Sequence, residues 1–112
     1  MEIRDNRKGG ALTETTFLVL LAAYQPNHGY GMMQFIEKAT RGRVCLGAGT
    51  LYGAVDALLR KKWIAPLGEG SDGRKKEYQI TELGKQKARE EYRRLGEVLK
   101  TASGIMGEEE SQ

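Results

Sequence analysis

The sequence predicts a mainly α-helical fold with one two-stranded β-hairpin and a long final helix. Three observations carry this. Apolar residues recur at helical spacing in three stretches before residue 64, alternation replaces that period up to residue 80, and a heptad-like seam runs from residue 88 to 106. The chain has 112 residues, 39% of them hydrophobic, enough for one small domain whose core is marginal unless a second copy helps to cover it.

Residues 1–11 are polar, contain Arg4, Arg7, Lys8 and the pair Gly9-Gly10, and read as a flexible basic arm. Thr13 is placed to cap a helix with Glu14 in its first turn, and the run from Phe17 to Tyr24 is apolar nearly all round, as a central core helix requires. Pro26-Asn27 stops it. A second helix from about Gly29 to Thr40 turns Met32, Met33 and Ile36 inward, with Phe35 a further inward candidate and Glu37 and Lys38 outward. Gly42 ends it, and the glycines on either side of Tyr30 imply a crowded start.

The third helix is the unusual one. Leu51, Ala54, Val55, Leu58 and Leu59 follow the i, i+3, i+4, i+7, i+8 spacing of a buried face, so Gly49, Gly53, Asp56, Ala57 and Arg60 look outward, flanked by Thr50 and Tyr52. A merely solvated face would carry Glu, Lys and Gln, because interior glycine costs about 1 kcal/mol relative to alanine. The bare backbone therefore points to something that approaches it closely.

Two extended runs follow, around 64–67 and 75–80, joined by the glycine-rich 68–73. Tyr78 and Ile80 take one face of the second run and Glu77 and Gln79 the other, and Pro66 suits an edge strand. Trp63 reads as a core residue packed at the hinge between helix and hairpin. Thr81 then caps the last helix, in which Ala88, Tyr92, Leu95, Leu99, Ala102 and Met106 form an a/d seam with no partner inside so short a chain. A second copy is the economical partner. Three helices, a hairpin with a basic tip and a long fourth helix describe a winged helix-turn-helix: a winged-helix DNA-binding domain over 12–80, a dimerisation helix over 81–106, and an acidic, disordered tail over 107–112.

The formal charge is only +3 but is unevenly spread. Residues 41–76 hold eight Lys and Arg against three Asp and Glu, a local +5, whereas Glu108, Glu109 and Glu110 make the tail acidic. That local excess fits a polyanionic partner. The lone Cys45 excludes an intramolecular disulfide, and the absence of a signal peptide or a long apolar run predicts a cytoplasmic protein with no membrane partner. With one histidine and one cysteine, no metal site of ordinary ligand count, no cofactor and no catalytic pair is supported, so no enzyme is expected. His28 reads as a turn residue and Cys45 as a small buried hydrophobe, with redox sensing as the second reading of the thiol.

The stretches His28-Gly-Tyr-Gly31, Gly49-Thr-Leu-Tyr52, the apolar positions up to Trp63-Ile64, the Gly-Arg-Lys-Lys-x-Tyr run at 73–78 and Ile80-Thr-x-x-Gly84 carry a resemblance over roughly residues 12–100. In order and spacing they resemble the PadR family of bacterial transcriptional regulators, specifically its small subfamily with one carboxy-terminal dimerisation helix. The resemblance implies a homodimeric repressor of an inverted-repeat operator in double-stranded DNA, often released by a small molecule. One departure is Gly47-Ala48, where the family usually places Ser-Pro or a similar pair; losing that cap and N1 proline predicts a looser start to the third helix. Some relatives sandwich flat drugs between tryptophans on the dimerisation helix, whereas this chain has only Tyr92 there.

The candidate DNA-binding residues are Tyr30, Gly49, Thr50, Tyr52, Gly53 and Arg60, with Arg74, Lys75 and Lys76 on the hairpin for phosphates or the minor groove. Tyr52 has a second reading as a half-buried core tyrosine, and Lys61 and Lys62 are accounted for by the helix dipole. Dimerisation is assigned to Ala88, Tyr92, Leu95, Leu99, Ala102 and Met106, and effector lining to Phe17, Tyr92 and Met106. Two other readings of the fold are a winged-helix protein-interaction module without DNA binding and a ligand sensor in which DNA is secondary.

Overall fold

The computed structural model describes residues 11–69 and 76–107. The basic arm, the hairpin tip with Arg74 and Lys75, and the acidic tail lie outside these described residues. Helix α1 (Glu14–Ala22) starts where Thr13 predicts, with the Thr13 Oγ1 accepting a hydrogen bond from the Thr16 N–H at 3.1 Å. Its Val19, Leu20 and Ala22 are buried, and Ala23 beyond its end is buried too. A short strand β1 (Asn27–His28) leads into α2 (Gly29–Ala39), which buries Gly29, Met32 and Ile36 and leaves Met33 half-buried. Phe35, the further inward candidate, is 46% exposed instead: it precedes Ile36, and the 100° step carries it off the buried stripe.

The turn after α2 is organised by Thr40. Its hydroxyl donates to the Ile36 carbonyl at 2.8 Å and accepts from the Val44 N–H at 3.1 Å. The Arg41 and Gly42 N–H groups donate back to the Lys38 and Glu37 carbonyls, the Schellman closure, with Arg41 and Gly42 both at positive φ. Arg43 then forms an ion pair with Glu14, tying this turn to the start of α1. That hydrogen bond holds the Glu14 carboxyl below the usual carboxylate range.

Helix α3 (Ala48–Arg60) buries Leu51, Val55 and Leu58 completely, with Ala54 and Leu59 half-buried beside them. Its start has no side-chain cap, as Gly47-Ala48 predicts. Its end repeats the Schellman closure, with Lys62 and Trp63 donating to Leu59 and Leu58 and Lys62 at φ 65°. A cation suits that position, since the last carbonyls carry the negative end of the dipole. Lys61 lies over the Trp63 ring, 5.3 Å from its centroid, so both lysines have structural work.

The hairpin is β2 (Ile64–Glu69) with β3 (Lys76–Ile80), but the sheet has three strands, not two, in the order β1-β3-β2 and antiparallel throughout. Asn27 pairs with Tyr78 and His28 with Glu77. A two-residue strand has no alternation to detect, which is why the sequence pattern predicts only the hairpin. Pro66 does lie on an edge strand, and the register is irregular between Pro66 and Glu69, where Gly68 takes φ 87° inside the strand rather than beyond it. Tyr78 and Ile80 are buried and Glu77 and Gln79 half-buried, the alternation expected.

Thr81 starts α4 (Glu82–Met106), and Gly107 ends it in the left-handed conformation at φ 76°. The Thr81 Oγ1 accepts from the Gly84 N–H at 3.0 Å and lies 2.8 Å from the Lys62 carbonyl, to which it donates. The Thr81 N–H donates to the Trp63 carbonyl at 2.9 Å. Gly84 sits so close to that carbonyl and to the Ile80 side chain that an added methyl group would overlap both. Gly84→Ala should therefore destabilise the protein by at least about 1–3 kcal/mol, the usual cost of overpacking, despite alanine's better helix propensity. Urea unfolding at fixed protein concentration reads the change as a lower midpoint.

Candidate nucleic-acid interface

Three elements meet around Tyr52 of α3. Its ring and hydroxyl lie against the α-carbon of Gly29, at the first residue of α2, where a methyl group would overlap the phenol. Gly31 is equally constrained, by the Asn27 side chain, whose Nδ2 donates to the Ala22 carbonyl at 3.1 Å and whose Oδ1 accepts from the His28 N–H at 3.0 Å. The crowding expected on either side of Tyr30 thus has two identified sources. His28, expected as a turn residue, instead ends strand β1 opposite Glu77 and precedes α2 without capping it by its side chain. From β3, the buried Tyr78 hydroxyl comes close enough to Tyr52 and Asp56 to be influenced by both; its pKa is raised by burial first and by these neighbours next.

The reading of Tyr52 as a half-buried tyrosine fits its surroundings. One side of the residue is packed on Gly29, and it remains 43% exposed. Tyr30 projects from the first turn of α2 at 61% exposure, next to the glycine on which Tyr52 rests. Gly49, Thr50, Gly53, Asp56 and Arg60 are exposed along α3, and Lys76 is exposed on β3. No heavy atom stands within 4 Å of where a Cβ on Gly49 or Gly53 would be. These two glycines are therefore not required by packing inside the chain. Asp56 faces outward as its spacing predicts, but its carboxylate was not among the candidate site residues. Its position one turn after Gly53 and one before Arg60 was the available signal.

Cys45, expected to be buried, is exposed in the loop between α2 and α3, where its Sγ lies 3.6 Å from the Gly42 carbonyl. The loop carries Val44 and Leu46 toward the core, which turns the intervening residue outward.

On α4 the seam divides. Ala88 is buried in the core of its own chain, whereas Tyr92 is 74% exposed and Leu95, Leu99 and Met106 are also exposed, with Ala102 half-buried. An a/d stripe drifts about 20° per heptad around an α-helix, so its two ends need not face the same neighbour. Val98 and the 80% exposed Ile105 widen the apolar face beyond the predicted seam. Sequence reading also missed Glu91, which is 4% exposed and accepts two hydrogen bonds from Arg94, at 2.9 and 2.6 Å. The i, i+3 spacing of opposite charges beside the seam was the only sign of it.

This pair lines a cavity of about 380 Å³ between α1 and α4, with Phe17, Leu18, Leu21 and Leu95 as its apolar wall. Phe17 is placed there, but Tyr92 and Met106 do not line this cavity; Tyr92 borders a separate depression on α4 with Leu95 and Leu99. The expected lining set is therefore not brought together within one chain, because Phe17 faces α4 from the core side while Tyr92 stands on its outer side. Among the described residues no three His, Cys, Asp or Glu side chains form a metal-binding group, and no helix is long and apolar enough to cross a membrane.

Residues 17–90 match the transcriptional regulator PadR-like family. No curated protein matches the chain significantly. Among solved structures, a PadR family transcriptional regulator from Eggerthella lenta superposes with a TM-score of 0.71 at 21% identity, covering 81% of this chain and 80% of its own. A PadR-like transcriptional regulator from Bacillus cereus gives a TM-score of 0.66 at 23% identity over 85% and 92% of the two chains. A transcriptional regulator from Clostridium thermocellum gives 0.71 at 20% identity over 89% and 96%. These likenesses establish the shared fold, and the family match spans most of the helices and the whole sheet: the chain belongs to the PadR-like family of transcriptional regulators.

Proposed function

We propose that this chain is a cytoplasmic bacterial repressor that binds an inverted-repeat operator as a homodimer, with α3 in the major groove, and is released by a small-molecule effector. The observation that carries the reading is the open space above Gly53, inside an exposed helix. Alanine there would favour the helix by about 1 kcal/mol and would meet nothing in the chain, so close approach by a partner's surface accounts for the glycine. Thr50 and Tyr52 flank that stripe with hydroxyls suited to phosphate oxygens, and the exposed Arg60, Tyr30 and Lys76 offer further donors. Arg74 and Lys75 extend the same basic character toward the hairpin tip on sequence grounds.

The second copy is supported by the exposed apolar face formed by Tyr92, Leu95, Val98, Leu99, Ile105 and Met106. Such a continuous face on a single helix is typical of an interface rather than of a free surface. The cavity between α1 and α4 adjoins it through Leu95 and supports effector binding near the subunit junction.

Three outcomes test the reading. Gly53→Ala should raise stability by about 0.5–1 kcal/mol in urea unfolding yet lower operator affinity by roughly tenfold or more, because the methyl group intrudes where the backbone meets the groove. Higher stability with unchanged affinity would favour the protein-interaction module. Leu99→Asp should convert a micromolar dimer into a folded monomer in sedimentation, since the charge lies at the centre of the proposed interface. Replacing Arg74, Lys75 and Lys76 together by Ala should weaken binding to all duplexes alike and flatten the dependence of log affinity on log salt by about 0.9 per lost phosphate contact. Affinities for operator and random DNA over a salt series check that result.

A further inference from the structure

The bare stripe of α3 leaves few groups with which to read a base. Gly49 and Gly53 have no side chains, Ala57 has no polar atom, and Tyr52 is seated on Gly29. Thr50 lies on a flank of the stripe, and Arg60 ends the helix, nearly two turns beyond Gly53. The hydrogen-bonding side chain left at the middle of the stripe is Asp56. It is exposed and forms no ion pair with Arg60, although the two are one helical turn apart, the spacing at which such pairs ordinarily close. Near Tyr78 but with no cation among the described residues paired to it, this carboxylate would repel phosphates on a surface meant for them. Facing base edges, it has a use.

We propose that Asp56 sets the base preference of this regulator by accepting a hydrogen bond from the N4 amino group of a cytosine in the major groove. The inference rests on the proposed docking of α3 with DNA and adds to it the identity of a base. An ionised carboxylate can only accept hydrogen bonds. The donors on the major-groove edges are the cytosine N4 and adenine N6 amino groups, and adenine places the N7 acceptor beside its amino group, where it opposes a second acceptor. Guanine and thymine present acceptors at the corresponding positions and are rejected by the same charge. The glycines contribute by letting the backbone come close enough for a side chain as short as aspartate to reach.

The test is selection of bound duplexes from a random pool with the full-length wild-type chain, Asp56→Asn and Asp56→Ala, followed by affinities for the selected site with one base pair varied four ways. Asparagine has nearly the same shape but can pair with adenine N6 and N7 together. The wild type should require a cytosine at one position of each half-site, with about ten- to hundredfold discrimination. Asp56→Asn should move that preference to adenine, and Asp56→Ala should abolish it while leaving the other positions of the motif and the melting temperature nearly unchanged. If all three proteins select the same base there, with equal discrimination, the role of Asp56 is overturned while DNA recognition by α3 stands. If the wild type enriches no motif, the proposed function fails and this inference fails with it.

Discussion

The arrangement depends on the junction at which Thr81 and Gly84 hold the Trp63 carbonyl. The Thr81 N–H donates to that carbonyl, its hydroxyl donates to the Lys62 carbonyl, and the Gly84 N–H returns to the same hydroxyl. One side chain therefore caps α4, receives the end of α3 and closes the base of the hairpin. The Ile80 N–H donates to the Ala23 carbonyl at 2.8 Å, which brings α1 into the same knot. Each bond contributes only about 1 kcal/mol net, but they converge on one part-buried junction, where a polar group left unpaired costs more than a single bond contributes. The absence of a Cβ on Gly84 is what permits the approach.

The orientation of α4 relative to α3 follows from this junction, and in the proposed homodimer it would set the spacing and angle of the two copies of α3. A second constraint acts from the other end of α3, where Tyr52 seats on Gly29 and comes near Tyr78. Helix α3 is thereby held between α2, β3 and the start of α4. Such restraint suits a helix with poor intrinsic stability: it has no side-chain cap, two exposed glycines and a lysine in a left-handed closing position. Its complete burial of Leu51, Val55 and Leu58, each contributing about 1.5–3 kcal/mol, outweighs those local costs.

Helix α4 divides its work along its length. The amino-terminal part packs Ala88 into the core and places Glu91 against Arg94 beside the cavity. From Tyr92 onward the helix carries apolar side chains that the described residues leave largely exposed. The buried Glu91 is tolerable because Arg94 satisfies both carboxylate oxygens; its desolvation would otherwise cost several kcal/mol. Removing Arg94 alone would therefore be more harmful than the solvent-exposed loss of an ordinary surface ion pair.

Local features of this protein were legible in its sequence because they depend on neighbours a few residues apart. The caps at Thr13 and Thr81, the buried stripe of α3, its bare opposite face, the alternation at Tyr78 and Ile80 and the long apolar seam all follow from helical or strand periodicity and from turn chemistry. Periodicity gives an angle around an element's axis but not the neighbour that fills it. Which side of α4 faces its own core, the pairing of Asn27 and His28 with β3, the seat of Tyr52 on Gly29, and the exposure of Phe35 and Cys45 were decided by how distant segments pack. The cavity beside Glu91 belongs to the same class, since it exists only where the surfaces of α1 and α4 fail to meet.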